Sequence, residues 1–230
     1  ENQIGQEQSP EEFIQNLVEV FSLVRDCLTD DGTLWVNIGD SYYNYRPGKG
    51  QSYPKQSVSK TKQDLPDKCN KRGNKLEGLK EKDLIGIPWM LAFALRADGW
   101  YLRQDIIWHK PNPMPESVRD RCTKSHEYIF LLSKSKKYYY DNEAIKEPAK
   151  DWGTRDRTNG KYHNKGTGLS PHTGLTKSYR TKNKRSVWKV TNKPYKGAHF
   201  AVYPPDLIEP CIKAGSQTGD IILDPFMGSG

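Results

Sequence analysis

The chain has 230 residues, 34% of them hydrophobic, with a mean hydropathy of −0.87 and a formal net charge of +8. That length supports one sizeable core, but the low hydropathy requires much of the chain to be solvated loop. No run approaches the roughly eighteen apolar residues of a membrane-crossing helix, no charged-then-apolar leader opens the sequence, and the basic balance favours an anionic partner, nucleic acid first. Cys27, Cys69, Cys122 and Cys211 are too far apart for a metal-binding spacing and read as reduced cytosolic thiols, with no metal site expected.

In "SPEEFIQNLVEVFSLVRDCL", Ser9 is the expected N-cap, Pro10 the first helical residue and Glu12 the partner that completes a capping box. Phe13, Leu17, Phe21, Val24 and Leu28 recur at helical spacing and mark a buried face. "TDDG" ends this helix, and "TLWVNI", Thr33 to Ile38, reads as a short apolar strand of the kind found in a parallel sheet covered on both faces. Next comes a stretch without helical or strand periodicity. From Arg46 to Lys80 it carries ten basic residues against Asp64, Asp67 and Glu77.

A second helix is expected from about Asp83 to Ala97, capped by Asp83 and kinked at Pro88. "YLRQDIIWHK" and "HEYIFLLSK" read as strands, with Lys136 to Asp141 a candidate extension of the second. The stretch from Lys150 to Lys189 then has eleven basic residues against only Asp151 and Asp156. It also interleaves Trp152, Tyr162, Tyr179 and Trp188. Both basic stretches read either as solvated loop or as nucleic-acid contact. The aromatic residues favour contact for the second, because flat rings stack on bases while cations meet phosphates. "YPPDLIEPCIKAGS" is a helix entered through Pro204 and Pro205 and stopped at Gly215, and "GDIILD" is a final buried strand. Alternating helices and strands predict an α/β doubly wound sheet.

Ligands of such sheets bind beyond the carboxyl ends of the strands. That rule selects three loops: "NIGDSYYN", "WHKPNPMPES" and "DPFMGSG". The last is neither the phosphate loop GxxxxGK(S/T) nor GxGxxG. Its glycines at Gly228 and Gly230 allow a close backbone approach to a ligand; the alternative is an ordinary strand-to-helix turn.

"DPFMGSG", preceded by "HFAVYPPDLIEPCIKAGS", resembles the cofactor region of the amino-methylating DNA methyltransferases. These use S-adenosyl-L-methionine (AdoMet) to modify N4 of cytosine or N6 of adenine. The order of segments is similar to the family's beta arrangement: a catalytic half, then a target-recognition region, then the AdoMet half. "TLWVNIGDSY" and "DIIWHKPNPMPES" resemble the catalytic half. "HEYIFLLSKSKKYYYD" leads into the variable recognition region and "RSVWKV" leads out of it. The resemblance covers nearly all of the chain apart from the two basic stretches.

The resemblance implies an incomplete Rossmann-like α/β methyltransferase sheet with an inserted recognition region. The expected divisions are a catalytic-half helix and strand at 1–45, a basic insertion at 46–82, the rest of the catalytic half at 83–148, the recognition region at 149–190 and the start of the AdoMet-binding half at 191–230. It also implies a catalytic tetrapeptide, (D/S/N)PP(Y/F), upstream of "IGQEQSPEEF", and further cofactor strands beyond Gly230. This segment alone is therefore expected to be inactive. "YPPD" at Tyr203 to Asp206 lies on the wrong side of the recognition region for the tetrapeptide role.

Residue roles follow from the resemblance by position. Asp224, Phe226, Gly228, Ser229 and Gly230 are expected to bind AdoMet, with His199 and Phe200 beside them. Asp224 either accepts from the cofactor's ammonium group or caps a helix that follows. Asp40, Ser41, Trp108, Lys110 and Asn112 are expected near the base pocket, with His109 at the same junction. Asp40 can also serve as a turn cap, and Trp108 as core. Arg155, Arg157, Lys177, Arg180, Lys182, Lys184 and Arg185 are the candidate DNA contacts. The expected partners are double-stranded DNA and a cognate restriction endonuclease, and the expected location is the cytoplasm of a prokaryotic or phage system. The resemblance favours N4 of cytosine over N6 of adenine, because the most similar family members carry the serine form of the tetrapeptide. Two other readings stand beside this one: a catalytically inactive nucleic-acid-binding module, and another nucleotide-cofactor enzyme, such as a dehydrogenase, on a similar sheet.

Overall fold

The structure, a computed structural model, describes residues 4–44, 76, 78–149, 180–193 and 203–227. Helix α1 spans Pro10–Cys27. Ser9 Oγ accepts from Glu12 N at 3.2 Å, so the expected N-cap is in place. The returning bond differs from a strict capping box, because Glu12 Oε2 accepts from the backbone of Gln8, one residue earlier than the cap. Leu17 and Phe21 of the expected apolar face are buried, together with Ile14, while Phe13, Val24 and Leu28 pack against them.

Strand β1 is Thr33–Ile38. Helix α2 is Ile87–Ala97 and starts later than the sequence suggests. Its N-cap is Gly86, not Asp83. Gly86 sits at φ +86°, a left-handed conformation that glycine adopts without a Cβ penalty. Pro88 lies in the first turn, where its missing N–H costs no helical bond, so no kink arises. Strands β2, Tyr101–His109, and β3, His126–Ser133, match the two expected runs. Residues 134–137 bend away instead of extending β3. A two-residue ribbon follows, β4 at Glu147–Pro148 and β5 at Thr181–Lys182. Then come β6, Val187–Lys189, and α3, Pro205–Gly215.

The main sheet has the order β1-β3-β2-β6. β3 is antiparallel to both β1 and β2, and only β2 and β6 form a parallel pair. The sheet is therefore mixed, not wholly parallel. The chain returns from β2 to β3 through a loop, which permits antiparallel pairing without a crossover helix. β6, within the stretch from 149 to 190, joins this sheet. "GDIILD" does not: among the described residues it is unpaired, and Ile221, Ile222 and Leu223 are exposed. Its composition suits a strand, but a strand exists only where a neighbour completes its hydrogen bonds.

The sheet has a helical layer on each face. Val36, Phe130 and Leu132 meet α1 and α2, where Leu91, Leu95 and Trp100 complete one core. Ile106, Trp108, Ile129 and Trp188 turn to the opposite face and meet Leu207 and Cys211 of α3. Alternate residues of β3 thus serve both cores, as its period of two requires. Gly215 closes α3 against β1: a Cβ there would lie 2.5 Å from Thr33 Oγ1 and 2.9 Å from Trp35 Nε1. The glycine is needed for this close approach; the helix itself ends at the Ser216 cap, one residue beyond the expected stop. Burial pushes the Cys211 thiol up to about 12, so this thiol is an apolar packing group at neutral pH. Among the described residues no helix is long and apolar enough to cross a membrane.

Phe130 is fully buried at the centre of the larger core. Phe130→Ala is expected to cost about 3–5 kcal/mol of unfolding free energy, from lost transfer energy and the cavity left behind. Urea unfolding monitored by circular dichroism measures it, and a loss under about 1 kcal/mol contradicts this packing.

Candidate functional site

β1 and β2 run in the same direction, so their carboxyl ends share one edge of the sheet, and the amino end of β3 lies between them. Three polar side chains meet there. Lys110 Nζ forms an ion pair with Glu127, the second residue of β3. Asn37 Nδ2, near the end of β1, donates to the Tyr128 carbonyl at 2.9 Å and to Glu127 Oε2 at 3.3 Å. The Lys110 ammonium also lies 4.1 Å from the centre of the Trp108 ring. Lys110 and Glu127 are both partly buried. At such depth a charge is tolerated because its partner is fixed, and the ring beneath adds a cation–π contact.

Trp108 itself is only 4% exposed, and its indole N–H donates to the Val190 carbonyl at 2.9 Å. It belongs to the core and supports Lys110 from below. Asn112 grips the backbone of Asn192 twice: its side chain donates to the carbonyl at 3.3 Å and accepts from the N–H at 3.1 Å. The loop after β2 is thereby fastened to the segment after β6. His109 ends β2, and its carbonyl accepts from Val190 N at 3.1 Å.

Asp40 and Ser41 lie in the loop after β1. Asp40 Oδ1 accepts from the backbone N–H groups of Ser41 and Gly86 at 2.9 Å and of Ile87 at 3.1 Å. The carboxylate therefore caps α2 from a distant loop and compensates for a glycine that has no capping side chain. The Asp40 carbonyl accepts from Lys124 Nζ at 3.0 Å. The Ser41 carbonyl accepts from Ile85 N, and Tyr43 exchanges backbone bonds with Lys82 and Asp83. These bonds form an antiparallel neck at the base of the first basic stretch. A cleft of about 860 Å³ opens beside it, lined by residues 42–44, 81–82 and 117–121. Two of the three selected loops therefore meet, with the Arg121 guanidinium 4.0 Å from the centre of the Tyr42 ring. Lys82 and Asp120 pair across the cleft at 2.7 Å; each shifts the other, Lys82 above its ordinary value and Asp120 below. Tyr42 and Tyr43 fall within the first selected loop, whereas Arg119 and Arg121 follow the second, which ends at Ser117.

The third loop rests elsewhere. Asp224 Oδ1 accepts from Phe226 N at 2.9 Å, in the manner of a cap, and Oδ2 accepts from Tyr203 Oη at 2.7 Å. The Phe226 ring meets Phe21 of α1 edge-on, with centroids 6.0 Å apart, yet remains half exposed. Tyr203 carries none of the roles that the resemblance implies, since "YPPD" lies on the wrong side of the recognition region for the tetrapeptide. His199, Phe200, Gly228, Ser229 and Gly230 lie outside the described residues. So do Arg155, Arg157, Lys177 and the aromatics Trp152, Tyr162 and Tyr179. Lys182, Lys184 and Arg185 gather around Glu147, and the Arg180 carbonyl accepts from Ala149 N at 2.9 Å.

Two outcomes follow from this geometry. Asp40→Ala is expected to cost about 0.5–2 kcal/mol, the range for a lost helix cap, read as a lower urea midpoint; an unchanged midpoint removes the capping role. Burial first, and then the bond to Asp224, push the Tyr203 hydroxyl up to about 12 from its ordinary value of 10.0. The neutral phenol is favoured by folding, so its contribution is complete below about pH 10 and is lost as pH rises through about 12. Stability should therefore fall less steeply across that window in Tyr203→Phe than in the unsubstituted protein. Equal slopes in urea unfolding series would show that folding does not raise the Tyr203 hydroxyl.

Comparison with known proteins adds to this geometry. A family model described as DNA methylase matches residues 1–230. The Type II methyltransferase M.Cfr9I of Citrobacter freundii is 48% identical over 230 residues, covering 100% of this chain and 65% of that protein. The Type II methyltransferase M.SmaI of Serratia marcescens is 49% identical over 233 residues, covering 99% of this chain and 67% of that protein. The chain thus spans about two thirds of the length of these relatives. Among solved structures, the PvuII DNA methyltransferase (cytosine-N4-specific) aligns with a TM-score of 0.54 at 12% identity, covering 94% of this chain and 59% of that one. That likeness carries the mixed α/β methyltransferase fold, and the match along residues 1–230 places this chain in the DNA methylase family.

Proposed function

We propose that the protein carrying this chain is a site-specific DNA methyltransferase that moves a methyl group from AdoMet to an exocyclic amine of a base in double-stranded DNA. The observation that carries this reading is the family match over residues 1–230, supported by relatives named as Type II methyltransferases. Cytosine N4 is preferred to adenine N6, on the resemblance described above. The Type II names also favour a cognate restriction endonuclease as partner and a cytoplasmic location.

The residues present suit AdoMet. Asp224 offers a carboxylate suited to an ammonium group, and Phe226 and Met227 present exposed apolar surface beside it. When bound, AdoMet supplies an electrophilic methyl on a sulfonium, and transfer to an amine breaks the carbon–sulfur bond. The chain's own contribution is placement. Asp224, held by Tyr203 and the Phe226 amide, is the proposed ammonium acceptor, with Phe226, Gly228, Ser229, Gly230, His199 and Phe200 forming the surrounding site. Lys110, fixed by Glu127 and Trp108, and Asn112, fixed to Asn192, hold the loop that faces the displaced base, with Asp40 and Ser41 on the neighbouring loop. The amino group is buried in the duplex, so the base must leave the stack. An aromatic exocyclic amine is a weak nucleophile, and positioning with electrostatic preorganisation supplies most of the rate.

The full-length protein, incubated with methyl-labelled AdoMet and duplex DNA of mixed sequence, is expected to label the DNA. Digestion to nucleosides and mass spectrometry should give N4-methylcytosine; N6-methyladenine would reverse the base assignment. No transfer, with NAD bound in place of AdoMet, would overturn the reading. In the same protein, Asp224→Ala should weaken AdoMet binding by about 1.5–3 kcal/mol, the range for a hydrogen bond to a charged group. Titration calorimetry measures this, and an unchanged affinity would remove Asp224 from the cofactor site.

A further inference from the structure

One carboxylate at the root of the second basic stretch faces three cations. Glu147, on β4, stands opposite Lys182 in the two-residue ribbon. Its carboxylate lies 3.9 Å from Lys182 Nζ, 3.8 Å from Lys184 Nζ and 3.7 Å from Arg185 Nε. All three distances are those of ion pairs and are longer than hydrogen bonds. One negative charge against three positive ones leaves the group cationic. The group is also built into the sheet. The buried Trp188 donates its indole N–H to the Arg185 carbonyl at 2.8 Å, and Lys184 Nζ lies 5.0 Å from the Trp188 ring centre. The Arg185 side chain is 75% exposed, so an anion can reach the group from solvent.

A phosphodiester carries the same single negative charge as a carboxylate and also presents two terminal oxygens. It arrives untethered, so it can close to the roughly 2.7–2.9 Å of a charge-assisted hydrogen bond, which the Glu147 carboxylate does not reach. We propose that Glu147 is an internal stand-in for a DNA phosphate. It holds Lys182, Lys184 and Arg185 together in the free protein and gives way to a backbone phosphodiester when DNA docks. This rests on the DNA-binding reading above and adds a regulatory element to it. The cations are gathered in advance, which lowers the ordering cost of binding. One of them is neutralised until the exchange occurs, which weakens attachment to random duplex. Phosphate contacts position a protein without reading sequence, so Glu147 tunes non-specific attachment and registers the recognition stretch on the backbone.

Glu147→Gln in the full-length protein tests this, with fluorescence anisotropy on a mixed-sequence duplex across a salt series. A carboxylate that merely braces the ribbon would, on neutralisation, leave affinity unchanged or lower it. An internal phosphate surrogate predicts the opposite sign: binding several-fold tighter at low salt, with the log–log salt slope unchanged, because the same phosphate contacts form in both proteins. The gain should disappear when Lys182, Lys184 and Arg185 are also replaced by glutamine. Glu147→Asp keeps the charge but shortens the side chain, so a smaller gain of the same sign is expected. It carries the test should the glutamine variant fail to fold. Unchanged or weakened binding in a folded variant overturns the assignment of Glu147 alone. An unsubstituted protein with no salt-dependent DNA binding overturns the methyltransferase reading itself.

Discussion

Antiparallel insertion of β3 between β1 and β2 is the constraint on which the rest of the structure depends. It lets each face of a single strand serve a different core, with Phe130 and Leu132 toward α1 and α2, and Ile129 toward α3. It also reverses the chain at the functional edge, so the amino end of β3 lies between the carboxyl ends of its neighbours. Glu127 reaches Asn37 and Lys110 only because of that reversal. A parallel strand in the same slot would bring its carboxyl end to this edge and leave Lys110 without its acid.

Both basic stretches are bounded by short antiparallel contacts. The first is closed by the bonds of Ser41 and Tyr43 to Lys82, Asp83 and Ile85, next to the Asp40 cap on α2. The second is closed by β4 and β5 and by the bond from Ala149 to Arg180. Loop length adds little to closure cost, which grows only with the logarithm of length. The fold therefore tolerates long insertions at positions where the neck itself is well hydrogen-bonded.

What the sequence made legible was whatever local chemistry decides. The α1 cap and apolar face, β1, β2, β3 and the proline entry to α3 follow from spacing and from the stereochemistry of serine and proline. What it hid depends on partners distant in the chain. The direction of β3 is not written in an apolar run, since such a run is equally apolar in either orientation. "GDIILD" has strand composition but no neighbour among the described residues. α2 takes its cap from a loop more than forty residues away, so Asp83, the nearer acid, was the wrong choice. At the candidate site, Lys110 and Asn112 were legible from their place after β2. Glu127, Tyr203 and Glu147 were not, because each acts through a residue remote in sequence.

The magnitudes separate what holds this molecule together from what its charges do. The two cores bury side chains worth about 1.5–3 kcal/mol each, whereas exposed pairs such as Lys193–Asp206 and Lys213–Glu209 are worth between zero and about 1 kcal/mol. Most of the positive charge therefore does little for folding and, through self-repulsion, works against it. The charges that are held in place make the contrast clear. Lys110 is gripped by an acid, an amide-braced neighbour and a ring, and three cations gather on Glu147 at distances too long to contribute much stability. The group at Glu147 spends side-chain entropy for little folding energy, as the proposed exchange with a phosphate requires, whereas Lys110 is already completed by Glu127.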